Sequence, residues 1–317
     1  MLSQPASVPP NWVNHGHPLG RLINGLLAVE PLRRLLFLQA RQLIIRTAER
    51  RGIAWRVRRE QLQRAAEPLL EQVSNPATPM PGYYRARFHA YQQGNLCWAA
   101  ACEAEQATDA MALRVWPEET LQPAEAQHRL RQAIFQAIEP SLSAPVHQAL
   151  DIGCSVGVST QALATWLEQW QQEPAVVSGL DLSPQMLAVA KVRDTAGLIQ
   201  AWHHAAAEAT GLPSASQDLI TLQFVCHELP QDATRAVLAE AFRLLRPGGV
   251  IALVDQDPES AVIRRLPAPI ATLLKSTEPY LEDYFRLDLP AALEQAGFRA
   301  VRREACDPRH RVLVATR

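Results

Sequence analysis

From residue 146 onward, short apolar runs alternate with segments of helical period, the pattern of a mostly parallel sheet covered by helices on both faces. The runs at 146–150, 176–180, 198–203, 219–225 and 250–254 predict five strands. Between them, Ala162, Leu163, Trp166, Leu167 and Trp170 fall on one face of a helix over 158–172. Val237, Leu238, Ala241, Phe242 and Leu245 do the same for a helix over 233–245, which the run Arg246-Pro247-Gly248-Gly249 is expected to stop. Ser183-Pro184 reads as an N-cap followed by proline in the first helical turn. Two further strands, 298–305 and 310–316, are separated by only about four residues, including Asp307-Pro308. A parallel crossover needs a dozen or more residues, so this pair must be antiparallel. The fold class is therefore α/β: a doubly wound, mostly parallel seven-stranded sheet closed by an antiparallel C-terminal hairpin.

Residues 1–125 show no such alternation. They predict helices over 31–51 and 60–73, a loop Ser74-Asn75-Pro76-Ala77-Thr78-Pro79-Met80-Pro81-Gly82, and an aromatic segment leading into a helix that ends near Met111. The chain thus divides into a mainly helical N-terminal cap, 1–125, and an α/β domain, 126–317. About two domains is also what 317 residues suggest.

Composition narrows the classes. Apolar residues make up 48% and charged residues 20%, which suits a folded globular chain. No apolar run approaches a membrane span, and the Pro-rich start lacks the apolar stretch of a signal peptide. Cys97, Cys102, Cys154, Cys226 and Cys306 form no CxxC pair, so the expectation is a reducing, cytoplasmic setting with no zinc or other metal site. The net charge of −1 argues against a nucleic-acid partner held by bulk charge. That near-neutrality is an average, because residues 1–60 carry ten arginines against three glutamates while the remainder is acidic.

The candidate chemistry begins where the first strand ends, at Asp151-Ile152-Gly153-Cys154-Ser155-Val156-Gly157. Small residues there let a ligand approach the backbone, and the next helix points its first amides at that ligand. A dinucleotide fingerprint would need glycine at 155 and 158, where this chain has Ser155 and Val158. The pattern acid-x-Gly-x-small-x-Gly fits instead.

These residues resemble the class I S-adenosylmethionine-dependent methyltransferases, over roughly 126–317. The resemblance implies S-adenosyl-L-methionine as cofactor, with Asp151, Gly153, Cys154, Ser155 and Gly157 around it. It also implies that Asp181, in Gly179-Leu180-Asp181-Leu182-Ser183-Pro184, takes both ribose hydroxyls, and that Leu182 and Met186 pack on adenine. Ala207-Glu208-Ala209-Thr210-Gly211-Leu212-Pro213 is similar to the family's stretch after strand three, although the family more often has Asp where Glu208 stands. Leu222 and Gln223 match positions flanking the methionine portion, and Leu244-Leu245-Arg246-Pro247-Gly248-Gly249 looks like the family's turn into strand five.

Ligands of open α/β sheets bind beyond the carboxyl ends of the strands, which places His227 and Glu228 as catalytic or acceptor-orienting candidates. Asp255 and Asp257 either line the same crevice or cap the next helix. Tyr280 and Tyr284 join the catalytic candidates as part of an acidic, aromatic stretch, 276–285, read as a lid. The head would carry acceptor specificity, through Phe88, His89, Ala90, Tyr91 and Trp98. Its arginine-rich helix would either pack on the catalytic domain or lie on an anionic membrane, the latter suiting a lipophilic acceptor such as a quinone, pigment or lipid. The expectation is a methyltransferase for a small, lipophilic acceptor, cytoplasmic and peripheral to a membrane. Its rivals are a protein side-chain methyltransferase, an NAD(P)-dependent oxidoreductase and a non-catalytic cofactor-binding protein.

Overall fold

A computed structural model of the chain describes residues 9–13, 18–143 and 145–317; most of the Pro-rich start lies outside them. The head comprises α1 (Pro18–Ala28), α2 (Glu30–Arg50), α3 (Trp55–Ala66), the single turn α4 (Leu70–Val73) and α5 (Trp98–Ala112), and α6 (Pro123–Ile138) leads out of it. Then follow β1 (Gln148–Ile152), α7 (Val158–Gln171), β2 (Val176–Asp181), α8 (Pro184–Arg193), β3 (Ala201–His204), β4 (Gln217–Gln223), α9 (Gln231–Leu244) and β5 (Leu245–Gln256). Three short helices, α10 (Ala261–Arg264), α11 (Ala268–Thr277) and α12 (Leu281–Arg286), precede α13 (Leu289–Gln295) and the hairpin β6 (Arg299–Ala305) and β7 (His310–Thr316).

The seven strands lie in the order β3-β2-β1-β4-β5-β7-β6. β1 pairs in parallel with β2 on one side and β4 on the other, so the winding reverses at β1 and leaves a crevice beyond its carboxyl end. β7 inserts antiparallel between β5 and β6, as the short hairpin connection requires. Two boundaries differ from expectation. The β3 strand starts three residues late, because the Asp194 carboxylate accepts the amides of Leu198 and Ile199 and withholds them from the ladder. The β5 strand starts at Leu245 and runs through Arg246-Pro247-Gly248-Gly249: the register shifts opposite Asp218, and Arg246 reaches the Asp218 carboxylate at 2.5 Å.

The head shares its core with the sheet. Ile45, Ala48, Ile53 and Trp55 pack in one cluster with Leu130, Val146 and Leu163. Leu62, Ala66, Ala101 and Cys102 pack in another with Cys154, Met186 and Leu187. The α2 helix turns Ile45 and Ala48 inward, while Leu32, Leu35, Leu36 and Leu43 stay exposed on its opposite side. Packing against the catalytic domain therefore accounts for only part of its apolar surface. No helix of the described residues is long and apolar enough to cross a membrane. All five cysteines are unpaired.

Candidate active site

A cavity of about 730 Å³ opens between the carboxyl ends of β1, β2 and β4 and the helices of the head. The turn after β1 forms one end. Gly153, Ser155 and Gly157 all have positive φ, at 70°, 50° and 73°. For the two glycines there is also no room for a side chain: a Cβ on Gly153 would strike Val225, and one on Gly157 would strike the Trp202 ring. The turn curls over the buried Asp181 side chain, whose two oxygens accept the amides of Ser183 and Ser155, each at 2.8 Å. Burial pushes the Asp181 carboxyl up to about 6 despite those amides. Gly153, Cys154, Ser155, Asp181, Leu182, Met186, Ala207 and Gln223 all reach the cavity wall.

Other expected residues lie behind it. Asp151 is buried below the turn, accepting hydroxyls from Ser159 (2.6 Å), Thr160 (2.8 Å) and Thr221 (2.7 Å). Burial raises its pKa and the three hydroxyls oppose that rise, so its place here is to tie β1, α7 and β4 together. Gly157 seats Trp202, and Leu222 is buried within β4. Ala209 closes an isolated bridge to Ala206. The Glu208 carboxylate lies outside the wall too, with the Tyr83 hydroxyl 3.0 Å from both of its oxygens.

Beyond β4, His227 and Glu228 both face the cavity. Asp255, at the end of β5, accepts both the backbone amide of His227 (3.1 Å) and a hydrogen bond at its Nδ1 (2.8 Å). That fixes the ring and leaves Nε2 for a ligand. Burial works against the imidazolium, but Asp255, with Glu278 and Glu228 behind it, raises the His227 pKa to about 10. Asp255 thus acts through His227 rather than on the wall, and Asp257 is spent on Arg303 and the Glu259 amide. The two tyrosines correct the expectation for the lid. Tyr284 is buried with its hydroxyl on the Gln256 carbonyl (2.6 Å), and Tyr280 donates to the Tyr83 carbonyl (3.2 Å); neither lines the cavity. Of the 276–285 stretch Thr277 and Glu278 do line it, and α11 completes the roof through Ile270, Leu273 and Leu274.

The head supplies the remaining wall. His89 and Ala90 both adopt positive φ, and the His89 amide donates to the Thr277 carbonyl at 2.9 Å, joining head to roof. Tyr91 reaches the wall as well, whereas Phe88 is fully buried against Tyr84 and Tyr280 and Trp98 starts α5 outside it. Sequence reasoning missed Asn95, Tyr84, Glu103 and Arg131. Arg131 is buried, donates to Gln223 and lies over the Phe224 ring at 5.7 Å, and burial lowers its pKa to about 10. Its only sequence signal is a charged residue amid Leu130, Ile134 and Phe135 on an otherwise apolar face of α6.

A doubly wound sheet whose glycine turn, acidic second-strand terminus and cavity all meet at the point where the winding reverses defines an α/β protein for a nucleoside-bearing ligand. Comparison with known proteins narrows the class. Residues 149–249 match the family model described as a methyltransferase domain. An uncharacterized methyltransferase of Synechocystis sp. is 32% identical over 160 residues, which cover 50% of this chain and 70% of that protein. Malonyl-[acyl-carrier protein] O-methyltransferase of Serratia marcescens is 37% identical over 115 residues, 34% of this chain and 38% of that one. Trans-aconitate 2-methyltransferase of Azoarcus sp. is 37% identical over 134 residues, 39% and 47% of the two chains. The chain thus spans less than half the length of these last two. It belongs to the class I S-adenosylmethionine-dependent methyltransferases, whose cofactor is S-adenosylmethionine.

Proposed function

We propose that this chain methylates a small, lipophilic acceptor bound in the cavity between the sheet and the helical head. The observation that carries the proposal is the continuity of that cavity: one wall runs from the glycine turn and Asp181 past His227 to apolar side chains of the head and α11. The cofactor end fits. An ionised carboxylate has about four lone-pair positions; Asp181 spends two on backbone amides, which leaves capacity for a ribose diol. Leu182 and Met186 would flank the base, and Gln223 the methionine portion.

When bound, S-adenosylmethionine supplies a methyl group on a sulfonium, and the acceptor's lone pair forms the new bond as the carbon–sulfur bond breaks. The protein's task is to hold the acceptor in line with that bond. His227, fixed by Asp255, presents Nε2 to hydrogen-bond the acceptor, and Phe37, Ile44, Trp55 and Leu273 offer it an apolar surface. A roofed cavity favours a small molecule over a protein side chain. The relatives named for acceptors differ among themselves, so relationship alone does not choose one.

His227→Ala should reduce turnover by roughly 10–100-fold, the 1.5–3 kcal/mol of a hydrogen bond to a charged group, with cofactor affinity unchanged, measured by methyl transfer and calorimetry on the same preparation. Unchanged turnover would remove His227 from the mechanism. The exposed leucines of α2, next to Arg46 and Arg50, support contact with an anionic membrane as the route of a lipophilic acceptor. Flotation with anionic vesicles at low salt should carry the protein upward; flotation equal to that with neutral vesicles would exclude the contact.

A further inference from the structure

Three side chains from separate parts of the chain converge on the cavity wall where the head meets the roof. His89 comes from the loop before α5, Glu228 from the turn after β4, and Glu278 from the end of α11. One ligand atom from each lies within 4.8 Å of the others. We propose that His89 Nε2, Glu228 and Glu278 form a site for a divalent transition-metal ion whose remaining coordination positions open into the acceptor cavity.

The two separations from the imidazole suit shared coordination. His89 Nε2 lies 3.4 Å from Glu228 Oε1 and 3.2 Å from Glu278 Oε1. Ligands bound at about 2.0–2.2 Å sit roughly 3–3.5 Å from one another around a common ion. Glu278 gives the independent sign of a missing partner. Its side chain is 8% exposed, it lines the cavity, and its Oε2 is buried without a hydrogen bond. A buried carboxylate oxygen left unpaired is costly and calls for a cation or a donor.

The surroundings orient the set as outer-shell groups orient metal ligands. Asn95 is buried, and its side-chain amide donates to Glu228 Oε2 at 2.8 Å. Its Oδ1 is then left to accept from His89 Nδ1, 3.2 Å away, which turns Nε2 toward the two carboxylates. The Asn95 carbonyl in turn accepts the Ser183 hydroxyl at the start of α8, so the same residue links this cluster to the cofactor end. One imidazole and two carboxylates make a mixed nitrogen and oxygen set, which suits manganese, iron(II), cobalt or zinc. The sequence points to no metal because none of these ligands is a cysteine or a sequence neighbour of another.

Cobalt(II) is the probe for the test. The full-length chain, stripped with chelator, should bind one equivalent with visible absorption bands and a saturating calorimetric isotherm. Glu278→Gln and His89→Ala should each weaken cobalt binding roughly 10–100-fold, while S-adenosylmethionine binds both as it binds the parent, which shows that they fold. Asn95→Ala should weaken cobalt binding less than either. Failure of the parent to bind cobalt, manganese or zinc, or binding unaltered in both ligand variants, would overturn the proposal.

Discussion

Asp181 shows how a single side chain couples folding to binding. With its carboxyl raised to about 6, the folded protein holds a proton there that the unfolded chain, at about 3.9, has already released. Stability therefore falls as pH rises from about 4 to 6 and carries the full penalty of the buried charge above that. A ligand that donates hydrogen bonds to the carboxylate favours its ionised form, so binding should expel about half a proton per chain near pH 6, where half of the Asp181 carboxyls are protonated, and almost none at pH 8. Titrations of S-adenosylmethionine in two buffers of different ionisation enthalpy measure that release; equal proton counts at both pH values would place the ligand elsewhere. Residues of this kind were legible in the sequence because the turn after β1 and the end of β2 are local motifs. Asp151 and Glu208 were legible as acids but not in their placement, since the hydroxyls of Ser159, Thr160 and Thr221 and the phenol of Tyr83 hold them away from the wall.

At the scale of elements, apolar runs located the seven strands and helical periodicity located α7 and α9, because burial on both faces of a parallel sheet writes itself into composition, while α8 showed through its Ser183-Pro184 cap and α10 to α13 were not resolved from the long connection after β5. What it could not show was local competition for backbone groups, such as Asp194 shortening β3 and the shifted register that lets β5 begin inside Arg246-Pro247-Gly248-Gly249. The junction of β2, β3 and α7 depends on the Trp202 ring filling the space above Gly157 and Gly179. Gly157→Ala should therefore destabilise the protein more than Gly197→Ala. Both glycines have positive φ, a strain of about 1–3 kcal/mol for alanine, but only Gly157 also meets an aromatic ring. Thermal unfolding of the two variants decides it: equal losses would show that Trp202 yields at no cost.

At the scale of the molecule, the head and the sheet line one cavity. The sequence separated them at residue 125, where the family resemblance starts. Yet Trp55 packs against the sheet side, His89 binds the roof, and Tyr83 meets Glu208 across the join. Asn95 and Arg131 escaped sequence reasoning, and His89 and Glu278 were legible only as parts of an acceptor segment and a lid, because only the tertiary fold brings the four together, from positions as far apart as 89 and 278. On the proposed function, this shared cavity holds S-adenosylmethionine on the Asp181 carboxylate. Calorimetric titration of the full-length chain and of Asp181→Ala at pH 8 tests it most directly. The parent should bind one cofactor per chain and the variant should lose about 10–100-fold in affinity, from the 1.5–3 kcal/mol of a hydrogen bond to a charged group. Equal affinity in the two proteins would contradict it.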